Sequence, residues 1–155
     1  MKITIALLLC FTVSSASFAA EGGYKVTYDG GSIPETQAGA GLRLYIEATQ
    51  IRLMRDKQTV ATIPASAVTE ISYGQDVHRR VGAAVAIGAV TLGVGALMAL
   101  SKSKKHFVGL TWANGDQKGG FAMQCDKSNY RGVLAGIEGV TGKKAVDSAL
   151  FSVKN

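Results

Sequence analysis

Cysteine is scarce in this chain, and its placement excludes a good deal. There are two, Cys10 and Cys125, and the first falls in an N-terminal stretch with the layout of a secretory signal peptide. Met1-Lys2 is a short positive start, Ile3 to Val13 is apolar, and a run of small residues ends in Ser17-Phe18-Ala19-Ala20. Cleavage is expected after Ala19 or Ala20, so residues 1–20 are assigned to the signal and 21–155 to one domain. An anchor helix is disfavoured because the apolar part is too short to span a bilayer. A lipoprotein signal is disfavoured because Leu9, before Cys10, is not small. Cys125 is then the only mature cysteine, which excludes an intramolecular disulfide and any metal site built on paired thiolates. Lying next to Phe121, Ala122 and Met123 in an expected strand, it reads as a buried, inert thiol.

Catalytic constellations are also lacking. The two histidines, His78 and His106, have no carboxylate cluster near them in sequence, so neither a metal site nor a triad is expected. Gly139 to Lys144 fails as a phosphate loop: Ile137 stands where the first glycine should be and Lys144 where a Ser or Thr should bind magnesium. Gly30-Gly31-Ser32-Ile33-Pro34 lacks the glycine that a nucleophile elbow needs after its serine. Glu35, Glu47, Glu70 and Asp76 form no evident pair. We therefore expect a non-catalytic protein with no cofactor and no metal.

The absence with most consequence is that of charge between Val81 and Leu100. As a straight helix this run would rise about 30 Å, the hydrocarbon thickness of a bilayer. Basic clusters bracket it, His78-Arg79-Arg80 before and Lys102-Ser103-Lys104-Lys105-His106 after. The formal charge of +6 falls to +5 once Lys2 leaves with the signal, and five of the remaining Lys and Arg residues sit in those flanks. Residues 79–105 are thus read as a hydrophobic insert. Val81, Val85, Ile87, Val90, Leu92, Val94, Leu97, Met98 and Leu100 are its candidate membrane contacts, and Arg79, Arg80, Lys102, Lys104 and Lys105 its interfacial cations. Gly82, Gly88, Gly93 and Gly95 belong to small-xxx-small spacings that let helix backbones approach, so the insert could also bring copies of the chain together as a homo-oligomer. Nucleic acid is not expected as a partner, because an exported chain with few aromatic candidates has little opportunity for it.

The flanking sequence reads as strand. Tyr24 to Tyr28, Leu42 to Glu47, Gln50 to Arg55, Thr59 to Ile63 and Val68 to Tyr73 alternate apolar with polar residues, and Pro64 ends the fourth run. Beyond the insert, His106 to Trp112 and Gly119 to Gln124 flank Asn114-Gly115, a type I′ hairpin signal. A helix follows, with Asp126 or Ser128 as its cap, Tyr130, Val133, Leu134 and Ile137 on one face and Gly139 as its stop. Gly132 and Gly136 are expected to mark close approach to the sheet.

This series of elements, with Ile63-Pro64, a short corner and Val68-Thr69-Glu70-Ile71 in its middle, resembles a pleckstrin-homology-like domain of the bacterial and GRAM type. The resemblance implies a mainly β (α+β) fold: a PH-like pair of orthogonal antiparallel sheets closed by one C-terminal helix, here interrupted by an apolar helix or helical hairpin. More narrowly, the glycine-rich insert is similar to that of a group of uncharacterised secreted bacterial proteins, and no site residues carry over from them. If the strands on both sides of the insert share one sheet system, both ends of the insert lie on the same side of any membrane. Two short helices turning near Gly88 or Gly93-Val94-Gly95 and dipping into one leaflet would satisfy that; a single span would divide the domain. The expectation is an exported, periplasmic or extracellular, membrane-associated binding or scaffold domain with lipid as partner and an unknown protein or peptide ligand. The alternatives are a soluble assembly protein whose inserts pack together and, with least support, an enzyme.

Overall fold

The computed structural model describes residues 22–75, 77, 80–82 and 105–151. The signal-peptide assignment and most of the insert, including its reading as a helical hairpin, lie outside them. Eight strands make one sheet: β1 (Tyr24–Gly31), β2 (Gly41–Ile46), β3 (Gln50–Arg55), β4 (Gln58–Pro64), β5 (Val68–Tyr73), β6 (His106–Asn114), β7 (Gln117–Cys125) and β8 (Ala145–Asp147). One helix is described from end to end, α1 (Tyr130–Thr141), with 3-10 turns at Ala65–Ala67 and Ser148–Phe151; residues 77 and 80–82 are also helical. The sheet order is β4-β3-β2-β1-β7-β6-β5-β8. Every neighbour is antiparallel except β8, which runs parallel to β5 through Ile71↔Ala145 and Tyr73↔Asp147.

This corrects the expected fold. In place of a PH-like pair of orthogonal sheets there is one continuous mixed sheet. The physical reason is β1, which pairs with β2 over Tyr24 to Thr27 and with β7 over Val26 to Gly31, so the two meanders are hydrogen-bonded into a single ladder. A bulge between Tyr28 and Gly30 bends β1, as an extra residue on one strand does. The mixed character comes from β8, in the tail where the sequence shows no decided pattern.

The alternating strands place Val26, Tyr28, Leu42, Leu44, Ile51, Leu53, Ile71, Val108, Leu110, Phe121 and Met123 in one buried cluster. Val133 and Ile137 of α1 join that cluster, with Tyr130, Leu134 and Val140 packed at its margin. α1 touches β2, β5 and β6. Gly132 and Gly136 lie close to the sheet as expected: a Cβ would stand 3.2 Å from the Tyr24 hydroxyl at the first and 2.8 Å from Ile46 Cδ1 at the second.

Local chemistry departs from expectation at three turns. α1 is capped by backbone, since the Asp126 carbonyl accepts from the amides of Asn129 and Tyr130 and no side-chain cap forms. It ends at Thr141, past Gly139, because Val140 still has core to cover; Gly142, at φ 69°, takes the left-handed position. In the β6–β7 hairpin the loop residues are Gly115 and Asp116, with Asn114 paired to Gln117. Positive φ falls on Gly115 alone, the pattern of a type II′ turn.

Candidate functional site

The site that the fold builds most deliberately is the root of the insert. β5 and β6 are adjacent antiparallel partners, with Tyr73↔Val108 as the last matched pair. Beyond it the Gly74 amide donates to the Phe107 carbonyl at 3.1 Å, and Gln75 Nε2 donates to the Lys105 carbonyl. The chain therefore leaves and returns at neighbouring points on one end of the sheet. Strands placed like this are commonly joined by two to five residues. Here the connection runs from Gly74 to Lys105 and contains the uncharged run.

The departing chain is helical at Val77 and Arg80–Gly82, and it is fastened to the outer face of the sheet. Phe107, Gly109 and Ala122 alternate with core residues along β6 and β7, so they point away from the main cluster. Val77, Val81 and Ala122 form a second buried cluster there, with Phe107 packed against it. Gly109 is the notch that receives the turn. A Cβ on it would stand 2.5 Å from Val77 Cγ1 and 2.8 Å from Val81 Cγ2, closer than real side chains approach, so a bare backbone is required there. A glycine inside a strand pattern signals this kind of approach, and Gly109 is the one residue of the site that a reading of β6 alone could have singled out.

Arg80 fastens the same turn electrostatically. Its Nε and Nη2 donate to the two carboxylate oxygens of Glu70 at 3.0 and 3.1 Å, and Nη1 reaches the Asp147 carbonyl of β8 at 3.5 Å. The Arg80 side chain is only 10% exposed, against 37% for Glu70. Two of the residues expected at the membrane thus have partners within the domain: Val81 is buried against Val77 and Ala122, and the Arg80 guanidinium pairs with Glu70. Sequence reasoning could not find this pair, because ten residues and a turn separate its members.

Lys105 is half-buried and Gly82 continues the helical turn. The other expected contact, cation and packing residues lie outside the described residues: Arg79, Val85, Ile87, Gly88, Val90, Leu92, Gly93, Val94, Gly95, Leu97, Met98, Leu100, Lys102 and Lys104, and with them His78. His106 is described, and its partner is aromatic. Its ring lies 4.6 Å from that of Tyr130, whose ring in turn meets Tyr73 edge-on at 6.4 Å. Burial pushes the Tyr130 hydroxyl above its ordinary range, with Tyr73 and Asp147 adding to the effect. Cys125, paired with His106 across the ladder, is buried, and desolvation pushes its thiol up to about 12, so it is protonated and inert.

On the same outer face, toward β2 and β3, a groove of about 590 Å³ opens over Lys25, Thr27, Arg43, Tyr45, Met54 and Gln124. Its charged lining is mixed, Lys25, Arg43 and Lys57 with Asp56 and Asp126, and it contains no histidine. Nearby, the Glu47 carboxylate is held below its ordinary range by hydrogen bonds from Gln50 and then Arg52. Ser32, in the rejected elbow motif, is engaged with Gly120: its hydroxyl accepts from the Gly120 amide at 3.0 Å and donates to the Gly120 carbonyl at 3.2 Å. Among the described residues, no group of three His, Cys, Asp or Glu side chains could hold a metal, and no helix is long and apolar enough to cross a membrane.

Compared with known proteins, the chain matches no family model and no curated protein.

Proposed function

We propose that this protein is an exported, non-catalytic domain that associates with a membrane through the glycine-rich segment between β5 and β6. The observation that carries the reading is the junction itself. Two hydrogen-bonded neighbouring strands, which a tight turn would join, are connected through a run with no charge from Val81 to Leu100. Joining β5 to β6 does not require a run of this length, and an uncharged stretch of this kind is buried in an apolar medium or against a protein surface. Because departure and return are hydrogen-bonded to each other, the segment enters and leaves from one side of the domain, which favours a loop dipping into a single leaflet over a one-pass span. Arg79, Lys102, Lys104 and Lys105 would add a salt-sensitive attraction of about 1 kcal/mol each near an anionic surface. Arg80, occupied by Glu70, is left out of that sum.

Flotation with phosphatidylglycerol-containing vesicles tests this. The intact mature chain is expected to float, and a variant with residues 83–100 replaced by a short Gly-Ser loop is expected to stay at the bottom while keeping its β-type circular dichroism. Equal flotation of the two would overturn the reading. An intact chain that does not float but migrates as an oligomer, reduced to monomer by the deletion, would establish the insert as an assembly surface instead.

A further inference from the structure

We infer that the end of the β-domain from which the insert departs is itself a lipid-headgroup docking surface, formed by Tyr24, Tyr73, His106 and Tyr130 with Lys127 and Arg131 beside them. The inference rests on the membrane reading above and adds a second contact, made by the folded domain. Antiparallel pairing brings the start of β1, the end of β5, the start of β6 and the end of β7 to one end of the sheet. The turn after β7 adds the first residues of α1 there, since Tyr130 lies against both His106 and Tyr73 and Tyr24 lies over Gly132. All four rings are half-buried. Rings with an apolar body packed on protein and a polar tip in water are the kind enriched where hydrocarbon gives way to head groups.

The surrounding charge matches an anionic surface. Lys127 and Arg131 are exposed and Lys105 is half-buried at the return of the insert. Of the nearby carboxylates, Asp126 is exposed and Asp147 is half-buried on β8, its side chain accepting from the Ala149 amide at 2.9 Å. The occupant is a bilayer rather than a peptide because the connection that carries the uncharged run leaves the sheet after Gly74 and rejoins it at Lys105, both at this end, so a bilayer that takes the run lies close to these rings. The opposite end of the ladder differs in kind: it is the polar turn Gly115-Asp116 with Lys118 exposed next to it. Trp112, the only tryptophan, stands toward that end, six residues from His106 along β6, about 20 Å at strand rise.

The test labels each end in turn on the full mature chain. Lys127→Cys and Asp116→Cys each introduce one reactive thiol, while buried Cys125 stays unlabelled. With an environment-sensitive dye and vesicles of phosphatidylcholine and phosphatidylglycerol, the dye at 127 is expected to brighten several-fold and to be quenched by brominated lipid, and the dye at 116 to stay unchanged. Intrinsic Trp112 fluorescence, likewise unquenched, reports the far end without any substitution. Flotation of the chain with no change at 127, or with equal changes at 127 and 116, overturns the inference and leaves insertion standing. Failure to float overturns both. Independently, Lys127→Glu with Arg131→Glu is expected to weaken binding to anionic vesicles by at least roughly tenfold and to leave binding to phosphatidylcholine alone unchanged. Equal weakening on both lipids would also overturn the headgroup role.

Discussion

The two ends of β6 obey one ladder and are joined to their neighbours in opposite ways. At Asn114 the strand turns back through Gly115 and Asp116 and pairs at once with β7; at His106 it has come from a neighbour only a few ångströms away by way of a long apolar excursion. The first end is the shortest solution to joining two antiparallel strands. The second carries everything such a solution omits: a helical turn seated in a glycine notch, an arginine clamp and an aromatic cluster. A junction that a tight turn could close, and that is instead joined by a long connection, is what sets this end of the sheet apart from the other.

The contrast can be broken in the middle of the strand first. Phe121, paired with Leu110 and buried against Tyr28, supports both ends alike, so Phe121→Ala should cost about 3–5 kcal/mol. Urea unfolding should then show one transition for both ends; two separate transitions would mean that the ends are independent units. Gly109→Val acts on the insert end alone. Its side chain would collide with Val77 and Val81, and overpacking of this kind costs about 1–3 kcal/mol. Trypsin should cut faster beside Arg79 and Arg80 in that variant, and an unchanged cleavage rate would refute the notch.

At the turn end, Gly115 sits at φ 61° with open space around it, so Gly115→Ala meets only backbone strain, about 1 kcal/mol. Trypsin sensitivity at the insert should not move with it. Arg80→Gln should cost less still, under about 1 kcal/mol, because the half-open Glu70 can take up water when its partner is lost. Proteolysis at the insert root would nevertheless rise, and a double-mutant cycle with Glu70→Gln measures the coupling. The last effect is confined to alkaline pH. Cys125 holds its proton up to about 12 when folded, whereas in the unfolded chain it ionises around its ordinary 9.0. The unfolded state then binds fewer protons above that value, so this contribution to stability is whole below pH 9 and is lost as pH rises from there toward 12. Cys125→Ala should flatten that alkaline decline in thermal melts; an identical decline would assign it to other groups.

The strands were legible because period-two alternation is a local property: Leu42, Leu44, Ile51 and Leu53 announce their buried face in sequence, and Pro64 announces its strand end. The helix was legible from Val133 and Ile137, but its end was not, because Val140 extends it for the sake of a core contributed by distant strands. The site was legible only as composition. Uncharged sequence between basic flanks could be read directly, yet the contacts of Val81 with Gly109 and of Arg80 with Glu70 could not, because their proximity depends on strand pairing. The Tyr24, Tyr73, His106 and Tyr130 grouping had no sequence signal at all, since it joins four elements that meet only in the sheet.

By itself, then, the amino-acid order determined a mainly β chain, one helix and an oily run between positive flanks, because hydropathy period, proline and charge act over a few residues at a time. Whether the strands formed two sheets or one, and which flank residues turned inward, was decided by tertiary structure. Pairing partners compete over the whole chain, and here β1, hydrogen-bonded on both sides, joined the strands into a single sheet.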